Sequence, residues 1–172
     1  MRPSADGPLA AEVVRQIRTI RGQRVLLDAD LAILYGVSTK VFNQAVRRNL
    51  DRFPQDFLLR LTNQDVAALR SQIVTLKTGR GTHRKYPMLA FSEHGAIMAA
   101  TILNSARAVE MSVYVVRAFI KMREMLASNS ELARELGALK KSVATLDADT
   151  RRQFDVVYEA ILGLMSPTAK KQ

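Results

Sequence analysis

Hydrophobic and polar positions along this chain change period several times, and each change predicts an element. Residues 1–12 are rich in Pro, Gly, Ala and Ser without a clear period and read as a flexible leader. Val14 to Leu27 suggests two short strands around Arg21-Gly22-Gln23, where Gly22 can supply the positive φ of a tight turn. A short helix follows over Leu31-Ala32-Ile33-Leu34-Tyr35, capped by Asp28 or Asp30 and ended by Gly36. Ser38 or Thr39 caps the next helix, which runs to about Leu50, and Arg52-Phe53-Pro54 prevents its continuation. Phe57 to Leu61 predicts a strand, Thr62 to Asp65 a capping box with Asp in place of Glu, and Met88 to Phe91 another strand. Ser92 is expected to cap a helix to Leu103, with Asn104-Ser105 breaking the chain after it.

The C-terminal third is helical by pattern. Ala106 to about Leu126 carries two apolar stripes, Val109, Val113, Val116 and Ile120 on one side and Met111, Val115, Phe119 and Met122 on the other. One stripe can close the domain core while the other faces a partner chain or is buried within the domain. Ser128-Asn129-Ser130-Glu131 is an S-x-x-E signal for a fresh helix start. Beyond it Leu132, Leu136, Leu139, Val143 and Leu146 alternate steps of four and three, as a coiled-coil seam does. The seam continues after a stutter at Thr150 through Phe154, Val157, Ile161 and Leu164. These residues predict self-association, against a helix that merely folds back on the domain. The fold class is α+β and mostly helical. A small winged or helix-turn-helix-type domain with short strands (13–127) precedes a helical oligomerisation tail (128–165) and a frayed end (166–172).

Two helices joined by Gly36-Val37-Ser38 fit a helix-turn-helix unit. Ala32 permits close approach, Gly36 takes the turn, and Leu31, Tyr35, Val37, Phe42 and Ala45 or Val46 can form the shared core. With those inside, Thr39, Lys40, Asn43, Gln44, Arg47 and Arg48 fall toward the open face. Asn and Gln can pair with adenine and Arg with guanine, while Lys40 and Arg48 suit phosphates. A merely solvated face would accept Asp or Glu as readily, yet Ser38 to Leu50 holds three basic residues and no acidic one. The segment from Lys77 to Tyr86 adds Arg80, His83, Arg84 and Lys85 between glycines, as an arm along phosphates or into the minor groove would.

Charge agrees with this picture. The formal net charge is +10, and residues 1–127 hold 19 Lys/Arg against 10 Asp/Glu, whereas residues 128–172 hold 7 against 6. The footprint for a polyanion therefore belongs to the first two-thirds. Absence of Cys removes disulfides, thiolate metal sites and Cys nucleophiles. No metal site, cofactor or catalytic residue is expected. The carboxylates Asp28, Asp30, Asp51 and Asp56 sit at caps and turns, and adjacent Ser92, Glu93 and His94 cannot face one another on a helix. No apolar run reaches the roughly 18 residues needed to span a bilayer, and the expected location is cytoplasmic, on the nucleoid.

The segments IRGQRVLLDADLAILYGVSTK, VRRNLDRFPQDFLLRLT, LRSQ and YPMLAFSEHG, followed by ILNSARAVEMSVYVVRAFIKMR, resemble the ORF-six-N domain, a KilA-N-like family of bacteria, phages and prophages. The likeness covers residues 17 to 125, and Arg-Asn-x-x-Arg-Phe-Pro-x-Asp-Phe is its most specific part. It implies DNA binding in phage or mobile-element regulation, without assigning base-reading residues. This chain departs from it at Met88-Leu89, where relatives often carry an aromatic. The expected partners are double-stranded DNA and further copies of the chain, with no membrane. Alternatives are an antitoxin-like or anti-defence adaptor that binds a protein through its tail, or a non-specific DNA-coating protein.

Overall fold

The computed structural model describes residues 7–72, 86–145 and 148–165. Two compact units divide the chain, Met1–Lys121 and Met122–Gln172.

In the first unit, helix α1 (Gly7–Gln16) precedes strands β1 (Arg18–Ile20) and β2 (Gln23–Leu27). Residues 7–12, expected in a leader, are thus helical: Ala10 and Val13 are buried, three apart on one face, and Ile17 continues that face. Arg21 and Gly22 both take positive φ (51° and 76°), the pairing that a two-residue hairpin of right-handed twist requires. Helices α2 (Asp28–Leu34) and α3 (Thr39–Arg48) come next, then a 3-10 turn over Leu50–Arg52, β3 (Leu58–Arg60), α4 (Asn63–Gln72), β4 (Leu89–Phe91) and α5 (Glu93–Leu103). Neither Asp28 nor Asp30 is the cap residue of α2. That position falls to Leu27, without a side-chain bond, and Asp28 opens the helix itself.

The four strands form an antiparallel sheet in the order β1-β2-β4-β3. Leu26 pairs with Phe91 and Leu27 with Ala90, so side chains alternate between the two faces in step across the strands. Val25, Leu27, Leu59 and Ala90 join Leu61, Leu69 and Met88 in one cluster, with Val66 of α4 packed against it. On the other face Phe91 meets Phe42 of α3 (5.3 Å, edge-on) and Phe53 (5.9 Å, edge-on). Covering on both faces explains why the central strands read as unbroken apolar runs, with every residue of Leu89–Phe91 buried. The sheet is thereby a fixed floor under α3.

The capping box at Thr62 forms as expected. Thr62 N–H donates to Asp65 (2.8 Å) and Asp65 N–H to the Thr62 hydroxyl (3.3 Å). The Arg21 guanidinium on the hairpin turn also bonds this carboxylate. Arg21 first and the Thr62 backbone second hold the Asp65 carboxyl below its ordinary 3.8, at about 2. A carboxylate lowered on folding stabilises the fold fully above its ordinary value and loses that contribution as pH falls toward about 2. Asp65→Asn should therefore flatten the acid limb of an unfolding-versus-pH curve across that window. An unchanged limb would show that the Arg21–Asp65 tie is energetically idle.

Helix α6 (Ala106–Val143) runs straight through Ser128–Glu131, where a new helix start was expected. The Ser130 hydroxyl donates back to the Ala127 carbonyl (2.9 Å), and Glu131 pairs with Arg134 along the same helix (3.9 Å). Residues that favour a start are accommodated inside a helix when their side chains fold back in this way. Within the second unit the register 122, 125, 129, 132, 136, 139, 143 keeps the apolar seam in phase, with Asn129 its single polar member. Helix α7 (Ala148–Met165) is separate, so the second half of the expected seam lies on another helix, and Leu146 lies outside the described residues.

Within the second unit Val143 is buried, and Leu136, Phe154 and Ile161 are half-buried. Leu132, Leu139, Val157 and Leu164 are exposed, the last at 88%. The covered face of α7 is Phe154, Tyr158, Ile161 and Met165, one residue on from the predicted seam at Val157 and Leu164. Lys140 lies over the Tyr158 ring at 4.5 Å, and Tyr158 stacks on Phe154. Apolar residues at both 157 and 158, and at both 164 and 165, made the two registers indistinguishable by pattern.

Candidate nucleic-acid interface

The site is built on α2, α3 and the start of β4. Gly36 takes φ +72°, which turns the chain between the helices, and a Cβ there would meet Arg107 Cγ at 3.2 Å. Arg107 in turn donates to the Leu34 carbonyl (3.3 Å), closing the end of α2. Of the two candidate caps for α3, Ser38 serves: its hydroxyl accepts from Val41 N–H (3.2 Å). Leu31, Ala32, Tyr35, Phe42 and Val46 are buried, while Val37 and Ala45 are half-buried. The Tyr35 hydroxyl donates to the Ala96 carbonyl on α5 (2.8 Å), and burial pushes its phenol well above the usual range.

With that core inside, Lys40, Val41, Gln44, Arg47 and Arg48 are exposed on α3 and Thr39 is half-buried. Asn43 borders the same face but is half-buried and tied inward. Its amide nitrogen donates to a carboxylate oxygen of Asp28 (2.9 Å), and its other polar atom, Oδ1, is buried. Asp28 is itself 1% exposed, and also accepts from Ala29 N–H (2.8 Å) and, at 3.5 Å, from Leu89 N–H of β4. Asn43 is therefore a strut between the first residue of α2 and the inner edge of α3. With one of its two N–H donors spent on Asp28 and its Oδ1 buried, Asn43 does not present both amide atoms to an adenine in this conformation. Helical periodicity placed Asn43 on the open face; the unforeseen factor is a carboxylate fifteen residues upstream.

Arg47 has a partner that sequence reading missed. Its guanidinium carbon sits 3.5 Å from the centroid of the Tyr86 ring, a stacked cation–π geometry. The only signal for it was an aromatic residue closing the basic run just before Pro87. A cleft of about 380 Å³ lies between Thr39, Lys40, Asn43, Gln44 and Arg47 on the helix and Tyr86-Pro87 just before β4. Arg80, His83, Arg84 and Lys85 lie outside the described residues, but the chain that carries them re-enters the fold at Tyr86, against the exposed side of α3. Val41, exposed at 49% near the start of α3, is a second addition to the face.

Among the described residues no three His, Asp or Glu side chains are gathered as metal ligands. No described helix is long and apolar enough to cross a membrane.

The ORF6N domain matches residues 15–102, a span that contains the hairpin, the α2–α3 pair, the whole sheet and nearly all of α5. Comparisons with curated proteins and with solved structures return no match.

Proposed function

Because this chain belongs to the ORF6N domain family, which points to a phage-type DNA-binding or regulatory role, we propose that it is a sequence-specific DNA-binding regulator of phage, prophage or mobile-element origin that lays α3 in a major groove. The observation that carries the reading is the outward face of α3: Lys40, Gln44, Arg47 and Arg48 are all exposed, with no acidic residue from Ser38 to Leu50. A rigid helix presenting cations and an amide from a packed floor is what groove reading requires.

The roles divide by chemistry. Gln44 and Arg47 face base edges, Val41 meets a thymine methyl, and Lys40 and Arg48 take phosphates with Thr39 at the helix start. Stacking on Tyr86 holds the Arg47 guanidinium in one plane, which reduces the entropy lost when it pairs with guanine. The basic segment 77–86 continues along the backbone or into the minor groove. The protein binds rather than catalyses, needs no cofactor, works in the cytoplasm on the nucleoid, and self-associates, with the exposed Leu132 and Leu139 of the second unit as one contributor.

Selection from randomised duplexes, followed by salt titration on the winner and on a scrambled duplex, tests the proposal. Arg47→Ala should weaken the preferred duplex by about 10- to 100-fold and the scrambled one far less. Arg84→Ala/Lys85→Ala should weaken both equally and reduce the slope of log affinity against log salt by about 2. Equal losses on both duplexes for Arg47→Ala would remove its base-reading role. Binding without enrichment of any sequence would favour a coating protein.

A further inference from the structure

Helix α6 presents two different sides within the first unit. Ala108, Met111, Val115, Ala118 and Phe119 are buried in the core. A second stripe, Val109, Val113, Val116 and Ile120, is turned away from them: Val109 is 58% exposed, Val113 46% and Ile120 43%, with Val116 half-buried. Its steps of four, three and four are those of a helix-pairing seam, and a β-branched row of this kind is suited to close packing rather than to water. Along one edge of the row stand two exposed charges of opposite sign, Glu110 and Arg117.

We propose that this stripe is the interface with a second copy of the chain, paired antiparallel through α6. The order of residues selects both the partner and the direction. In an antiparallel pair with a two-fold axis between Val113 and Val116, Val109 lies opposite Ile120 of the other copy and Val113 opposite Val116. All four layers are then apolar. The same alignment sets Glu110 beside Arg117 of the other copy, and the two-fold axis repeats the pair at the far end. Such self-complementarity, residue i on j and j on i, is the mark of an isologous contact. A parallel pair fills the apolar layers too, but it brings Ser112 rather than Glu110 against Arg117, so the charges gain nothing. The inference goes beyond the DNA reading and stands without it. If both hold, two α3 helices are related by a two-fold axis, and the preferred duplex is a two-fold repeat.

The test reads association of the full chain without DNA, by sedimentation equilibrium. The parent is expected to be dimeric. Val113→Asp should be monomeric wherever the parent is a dimer, with an unchanged circular dichroism spectrum because position 113 is exposed in the single chain. Glu110→Arg and Arg117→Glu should each weaken the dimer about tenfold, since each sets like charges together twice. Combining the two should restore parental affinity, a rescue that general destabilisation cannot produce. A monomeric parent overturns the proposal, and loss of thermal stability in Val113→Asp would then show the stripe covered within one chain. It is also overturned if Val113→Asp stays dimeric, if Leu132→Asp/Leu139→Asp abolishes the dimer while Val113→Asp does not, or if the double reversal fails to rescue.

Discussion

Replacing Asp28 with alanine is expected to destabilise the first unit by about 3 kcal/mol, the cost of removing a buried acceptor that three donors share. The carboxylate is 1% exposed and serves Ala29 N–H, the Asn43 amide and, at longer range, Leu89 N–H. Its loss leaves donors on α2, α3 and β4 without their acceptor, the Leu89 N–H within the buried sheet among them. The midpoint of thermal unfolding should fall by about 10 °C. Asn43→Ala removes one donor and leaves the carboxylate its backbone partners, so it should cost about half as much. On DNA, Asn43→Ala should lower affinity for preferred and scrambled duplexes alike, because it loosens the seat of α3 and deletes no base contact. A loss confined to the preferred duplex would return Asn43 to the reading face, and an Asp28→Ala change under about 0.5 kcal/mol would sink the strut.

Local chemistry was legible in the sequence and remote chemistry was not. The Arg21-Gly22 turn, the Ser38 and Ser92 caps and the Thr62–Asp65 box each depend on side chains within three residues of the backbone they serve, so residue type and spacing suffice. The apolar runs of β2 and β4 were likewise readable as short strands. The strut from Asp28 to Asn43 and the stack of Arg47 on Tyr86 join residues fifteen and thirty-nine apart in sequence. Only the packing of α3 on the sheet brings those pairs together. Errors in the helical tail have another origin. Ser128–Glu131 holds the residues of a helix start, but a serine can bond its own helix, as Ser130 does, and nothing from Ala106 onward forces an end before Val143. In α7 two registers were open because apolar residues stand side by side, and one helix face alone does not choose between them.

Gly95→Ala is expected to cost at least about 3 kcal/mol, although alanine is the better helix former by up to about 1 kcal/mol. The sign is decided by what lies beside the glycine. A Cβ there would sit 2.0 Å from the carbonyl oxygen of Phe57 and 2.9 Å from its carbon, a backbone clash that no side-chain rotation relieves. That oxygen is not free to move, since it accepts from Ser92 N–H at 3.1 Å. The Phe57 ring is also stacked on His94, the residue before Gly95 (5.7 Å between centroids). Admitting a methyl group means pushing the entry of β3 away from the first turn of α5. The displacement would pass to Leu58, which pairs with Phe91, and Phe91 packs on Phe42 of α3. Hydrogen exchange should accelerate in β3 first and in α3 with it, and DNA affinity should fall with the folded fraction. Ser92→Ala, which deletes the cap at the same helix end and leaves the close approach intact, should cost only about 1 kcal/mol. A Gly95→Ala protein as stable as the parent would mean that α5 does not sit against Phe57 as described, and the floor beneath α3 would have to be redrawn.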